Sequence, residues 1–253
     1  MKPTISRLEE TVPLTGFTLT GVLAALSAIA WLAVSQSNMP MAGMVDTVAF
    51  GLFTAIWGIG MVAMMFPSLV PMVYAMIAST RKTFEERLVS PLMLRTAIGL
   101  RSGLFIAGYV AVWTLVGVAF YLTIAIVAQT SLPVSIGSFD LWAGLILLGT
   151  GLYQFSPWKQ EALSKCRSPM GFVLTRWRNR GSGALVMGAD YGLFCTRCCW
   201  VLMAGLLTVG AMSLPLMGLF SIIIFAEKIL PFGQTVSKLV GLAFMAVAVI
   251  LLV

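Results

Sequence analysis

The sequence predicts an all-α fold, a polytopic bundle of membrane-spanning helices forming a single domain over residues 1–253. Three observations predict it. The chain is 59% hydrophobic and only 10% charged, against roughly 25% charged residues in a typical soluble domain. Apolar runs of the length that crosses a bilayer, about 20 residues for a core about 30 Å thick, recur along it. Lys and Arg collect in alternate connecting segments, as in bundles whose cationic loops stay in the cytoplasm. The net charge of +7 therefore reports topology and gives no reason to expect a nucleic-acid partner.

Seven runs qualify as spans, or six if the last two are not separate. The first is Leu14–Val34, ended by SQSNMP. Residues 1–13 before it are polar and include Glu9 and Glu10, so a retained span is expected and not a cleaved signal. The second, Val48–Ala78, is interrupted by Pro67 and Pro71. The third is Leu104–Ala128, ended by QTSLP, and the fourth is Leu141–Trp158. The fifth is Ala184–Val209. Leu214–Ile229 is the sixth and shortest, and Val236–Val253 is the seventh.

The connecting segments set the orientation. Arg81, Lys82, Arg87, Arg95 and Arg101 follow the second run; Lys159, Lys165, Arg167, Arg176, Arg178 and Arg180 follow the fourth. Segments 35–47, 129–140 and 210–213 contain no Lys or Arg. That asymmetry places the N-terminus in the cytoplasm. Thr83–Arg87 is expected to begin a short interfacial helix. Lys159–Cys166 is expected to prolong the fourth helix into the cytoplasm until Ser168-Pro169 ends it. Trp158 and Trp177 suit interfacial anchors.

Reactive groups concentrate in Met187–Trp200, MGADYGLFCTRCCW. The stretch holds Cys195, Cys198 and Cys199, and the fourth cysteine, Cys166, lies on the basic segment upstream. The spacing is too tight for an extracellular disulfide framework, and disulfide geometry disfavours a bond between the neighbours Cys198 and Cys199. At about 100° per residue, Tyr191 and these three cysteines share one face of the fifth helix. Thiolates at i, i+3 and i+4 can converge on a soft ion, with Cys166 as a fourth donor. Sulfur-only sites suit zinc, Cu(I) or an iron–sulfur cluster. Equally, free cysteines pack as small buried hydrophobes. The chain has no histidine, so the commonest metal ligand and general base is absent.

Asp190 and Arg197 fall on the opposite face, within about 20° of each other. Ionisable groups inside a membrane are costly and are usually paired. These two lie too far apart along the helix to meet, so each is expected to find a partner elsewhere or to snorkel towards water. Glu227 is the acid left unassigned. With Lys228, Pro231 and Gly233 it closes the sixth helix, either as an interfacial turn or as a carboxylate that steadies the cysteine face or Arg197.

The second helix adds a methionine stripe. Met61, Met65, Met72 and Met76 fall within about 60° of one another. Thioethers are soft ligands that suit Cu(I), although methionine also fills gaps between helices. Pro67 and Pro71 free backbone carbonyls, and broken helices often line membrane sites. Phosphate-loop, dinucleotide and HExxH motifs are missing, which makes an enzyme the least favoured class.

Several segments carry a family resemblance: AMMFPSLVPM in the second helix, SPWKQEALSKCRSPMGF after the fourth, and GALVMGADYGLFCTRCCWVLM followed by AEKILPFG. Their order and spacing resemble the domain of unknown function 2182 family of metal-binding integral membrane proteins. The resemblance covers most of the chain from the second helix onward. It implies a bacterial inner-membrane protein whose cysteine motif binds metal at Cys166, Cys195, Cys198 and Cys199. Two positions depart from the pattern. Tyr191 stands where relatives keep a histidine, and Ala162 stands where they keep a cysteine. Arg197 replaces a glycine, placing a cation among the cysteines.

The expected function is that of a membrane protein that binds or hands on a soft metal ion, copper or zinc. The cysteine face would hold the ion, with Met61 and Met65 on its way in. Its surroundings would be the lipid bilayer and, in the alternative reading, a larger membrane complex of which it is an accessory subunit that has lost its metal. The changes at Tyr191 and Ala162 favour that alternative.

Overall fold

The computed structural model describes residues 3–36, 47–85, 90–129, 136–178, 182–210 and 213–252. Among them the chain is helical almost throughout. In order come α1 (Pro3–Gln36), α2 (Thr47–Glu85), α3 (Pro91–Gln129), α4 (Ile136–Tyr153) and α5 (Pro157–Cys166). They are followed by α6 (Pro169–Arg176), α7 (Gly183–Gly210), α8 (Leu214–Ile229) and α9 (Gly233–Leu252). Five helices, α1, α2, α3, α7 and α9, contain segments long and apolar enough to cross a membrane. In α4 a shorter apolar segment runs over Leu141–Tyr153.

Several boundaries differ from those expected, each for a local reason. α1 begins at Pro3, not Leu14, because proline at a first helical position is pre-set for a helix. α3 begins at Pro91, since Leu94, Ile98, Arg101 and Phe105 form one buried face at helical spacing. Of its two arginines, Arg101 is absorbed by packing: the guanidinium donates to the Arg178 carbonyl at 2.8 Å and lies 4.4 Å from the Trp177 ring centre. Thr83 does not open a separate helix, because α2 runs on to Glu85; Arg87 lies outside the described residues.

The largest correction concerns the fourth helix. It stops at Tyr153, before Trp158, and does not continue through Lys159–Cys166. Ser156 caps a new helix by accepting from the Trp158 amide, and Pro157 occupies its first turn, a combination that starts helices. α5 then turns one face, Lys159, Ala162, Leu163 and Cys166, inward and packs against α7 and α8.

Proline and glycine shape the bundle where the sites lie. Pro67 has no N–H, so the carbonyl of Ala63, four residues earlier, loses its helical donor. Ser27 Oγ (2.8 Å) and Trp31 Nε1 (3.1 Å) of α1 donate to that carbonyl instead. The same substitution for a lost backbone bond lets proline persist in membrane helices, and here it joins α1 to α2. α3 and α7 form the most extensive helix pair. A Cβ on Gly188 would stand 1.9 Å from the Phe105 carbonyl oxygen, and one on Gly108 would stand 2.0 Å from that of Leu185. Only glycine permits this approach, the small-residue contact through which helices associate when lipid supplies no hydrophobic drive. It brings Tyr109 of α3 against the cysteines of α7.

Candidate metal centre

The centre is built on α7. Tyr191, Cys195, Cys198 and Cys199 are all buried, as their shared helical face predicts. The sulfurs of Cys195, Cys198 and Cys199 lie within 4.8 Å of one another. The Cys198 and Cys199 sulfurs are 3.0 Å apart. Cys198 also donates to the Cys195 carbonyl at 3.1 Å, a contact along the helix. All four cysteines are free thiols.

α5 delivers the fourth. Cys166 sits at its C-terminal end, with its sulfur 4.0 Å from that of Cys198. Interaction with Cys195, and burial, push the Cys166 thiol well above its ordinary pKa. The Tyr191 hydroxyl donates to the Cys166 carbonyl at 3.4 Å, and its ring packs among Phe105, Tyr109 and Phe172. Tyr191 thus holds Cys166 in place. Ala162, on the same face of α5, is buried without a donor atom.

α8 contributes a cation that sequence reasoning placed in an interfacial turn. Lys228 is buried, and its ammonium donates to Cys195 Sγ at 2.9 Å and to Ser68 Oγ at 3.3 Å. It also lies 3.8 Å from Met65 Sδ. On the other side of Cys195, the Tyr109 hydroxyl is 3.2 Å from the sulfur. Tyr109 carried no sequence signal, being one aromatic among many in an apolar helix. Lys228 carried one: it adjoins Glu227 at the end of a short apolar helix, where an acid–base pair sits side by side.

Glu227 is also buried. Of the roles expected for it, it does not serve Arg197. Both carboxylate oxygens accept from Lys159 of α5, at 2.8 and 3.0 Å, and both side chains are essentially inaccessible. Lys159 was expected on a cytoplasmic extension of the fourth helix, but its spacing to Ala162, Leu163 and Cys166 (i+3, i+4, i+7) is that of a buried helical face. Asp190 does find its partners off its own helix: Arg176 at 3.2 Å and Arg178 at 3.8 Å. Arg197 does not stand among the cysteines. Its side chain is exposed on the outside of the bundle, and its carbonyl accepts from the Tyr153 hydroxyl at 2.6 Å.

The methionine stripe faces the core. Met61, Met65, Met72 and Met76 are all buried. Met65 is the member that meets the thiol cluster, through Lys228. Met61, one turn earlier on α2, lines a separate small cavity with Tyr109 and Trp113.

A sulfur-rich donor set in an apolar core suits a soft, low-charge ion. The arrangement also limits the charge it can hold. Glu227 is neutralised by Lys159, so Lys228 is the cation left to balance thiolate ligands. The model for the family PpoB2, described as copper chaperone, matches residues 54–251. No curated protein and no solved structure matches the chain.

Proposed function

The chain belongs to the copper chaperone family PpoB2, and on that premise we propose that it holds Cu(I) as cargo at Cys195, Cys198 and Cys199 and hands it on. The observation that carries the reading is the convergence of three buried sulfurs within 4.8 Å on one face of α7. Cys166 is a fourth sulfur beside them, and Met65 is a thioether at their edge. Met61 belongs to the same stripe one turn away. Copper is taken over zinc on the family match and on the Met65 thioether at the edge of the cluster, a soft ligand that suits Cu(I).

The cargo site lies within the bilayer of a bacterial inner membrane. α1 to α4 and α7 to α9 supply seven crossings, α4 and α8 being the short ones, and the N-terminus is cytoplasmic. α5 and α6, with Lys165, Arg167, Arg176 and Arg178, then lie on the cytoplasmic side, where the cationic segments of a membrane protein collect. A reducing compartment suits free thiols.

Copper analysis of the purified, reduced protein tests this reading. The wild-type chain is expected to retain copper. A variant with Cys195→Ser, Cys198→Ser and Cys199→Ser is expected to retain almost none while keeping its helical circular dichroism. Equal, near-zero copper in both would contradict the reading.

A second reading, association with a larger membrane complex, draws on Arg197. An exposed cation on a helix long and apolar enough to cross a membrane is costly in lipid and is usually paired. An acidic residue on a neighbouring protein's helix would satisfy it. This reading is compatible with the first, since a chaperone must meet its client.

A further inference from the structure

Beside the thiol cluster lies a partly open cavity of about 150 Å3. Buried Cys166, Tyr191, Lys228 and Ser68 form its inner wall, and half-buried Arg167 and Pro71 stand nearer the surface. Among the described cysteines only Cys166 lines it. The triad sits behind, reached through the 4.0 Å gap between Cys166 and Cys198. A water occupies about 30 Å3 of liquid, so the cavity admits the sulfur-bearing tip of a donor and not a whole peptide. Its described lining holds two cations, Arg167 and Lys228, and no carboxylate. A cleft lined by one sign of charge concentrates ligands of the other.

We propose that this cavity is an exchange vestibule for an anionic Cu(I)–thiolate complex, and that Cys166 is the first thiol of the chain to take the copper. The proposal rests on the copper-handling function above and adds a route to it. A Cu–S bond to Cys166 forms as a Cu–S bond to the donor breaks, and the Cys166 proton leaves with the departing thiolate. A Cu–S bond to Cys198 then forms as the bond to Cys166 breaks, the Cys198 proton returning to Cys166, and a Cu–S bond to a second triad thiol forms as the donor's remaining thiolate leaves with that thiol's proton. Copper remains Cu(I) throughout, so no oxidant or reductant is consumed. Arg167 is anchored for its role: its guanidinium donates to the carbonyls of Leu230, at 2.7 Å, and Pro231. That contact holds the cation at the turn between α8 and α9.

The test separates rate from capacity. The purified protein, reduced and free of oxygen, is given Cu(I) either as its anionic glutathione complex or as its cationic acetonitrile complex. Uptake is followed by rapid desalting and copper assay. Cys166→Ser is expected to slow uptake from both donors by at least about tenfold, because a hydroxyl is a poor soft ligand, while final copper per chain matches wild type. Arg167→Gln is expected to slow uptake about tenfold from the glutathione complex only, the size of effect that charge steering produces. Wild-type uptake rates in Cys166→Ser would overturn the relay. A fall in final copper in that variant would also overturn it, by making Cys166 a resident ligand. Equal slowing of both donors by Arg167→Gln would overturn the anionic vestibule. If the wild-type chain takes up no copper from either donor, the copper-handling function itself fails, which is distinct from a chain that loads normally without Cys166.

Discussion

Replacing Glu227 with Ala is expected to destabilise the protein by about 3–5 kcal/mol, the cost of leaving one member of a buried ion pair without its partner. Lys159 and Glu227 are essentially inaccessible and meet at 2.8 and 3.0 Å. Without the carboxylate, the Lys159 ammonium has no described anion to replace it. The damage reaches the thiol cluster as well. Lys159 and Cys166 lie on the same face of α5, and Glu227 is next to Lys228 on α8. The pair therefore ties the element carrying Cys166 to the element carrying the cluster's cation. Thermal unfolding in detergent should show a clear drop for Glu227→Ala and a substantial recovery when Lys159→Met is added, because removing both charges leaves none buried alone. A single variant that melts like wild type would contradict a structural role for the pair.

Replacing Lys228 with Met is expected to weaken copper binding about a hundredfold, or about 3 kcal/mol, within the range for deleting one partner of a buried charge pair. Net charge sets the effect. Cu(I) with two thiolates is an anion, and the surroundings are apolar: Cys195, Cys198 and Cys199 are all at most 1% exposed. The Lys228 ammonium, 2.9 Å from Cys195 Sγ, is the compensating cation. Methionine preserves much of the side-chain length and packs well in irregular gaps. Lys228→Arg keeps the charge and should retain more affinity than Lys228→Met. Competition with a colorimetric Cu(I) chelator measures the difference, and unfolding curves check that the variants remain folded. Unchanged or tighter binding in Lys228→Met would mean that the ammonium competes with copper for Cys195 instead of balancing it.

What could be read in the sequence follows from what is local. Span length and the placement of Lys and Arg are properties of short windows, so the helical bundle was legible. So was the shared face of Tyr191, Cys195, Cys198 and Cys199, because helical spacing alone puts them together. Asp190 was expected either to pair off its own helix or to reach the water layer, and it pairs with Arg176 and Arg178. The α5 segment was read as helical but as a continuation of the fourth helix, and the break made by Ser156 and Pro157 was missed. Its inward face was nonetheless present in the spacing of Lys159, Ala162, Leu163 and Cys166. The pairing of Lys159 with Glu227 joins residues 68 positions apart, and no window spans that distance. The same limit hid the contacts of Tyr109 and Lys228 with Cys195, which depend on how closely α3 and α8 approach α7. Helical spacing also put Arg197 on the face opposite the cysteines, and its side chain is exposed there; only its place between them in the sequence suggested a cation among the thiols.

X-ray absorption at the copper edge of the loaded protein tests most directly whether the α7 thiols hold Cu(I). The expected spectrum is that of Cu(I) with a first shell of sulfur alone, lost when Cys195, Cys198 and Cys199 are changed together to Ser. A first shell of nitrogen or oxygen, or a sulfur shell that persists in that variant, would contradict it.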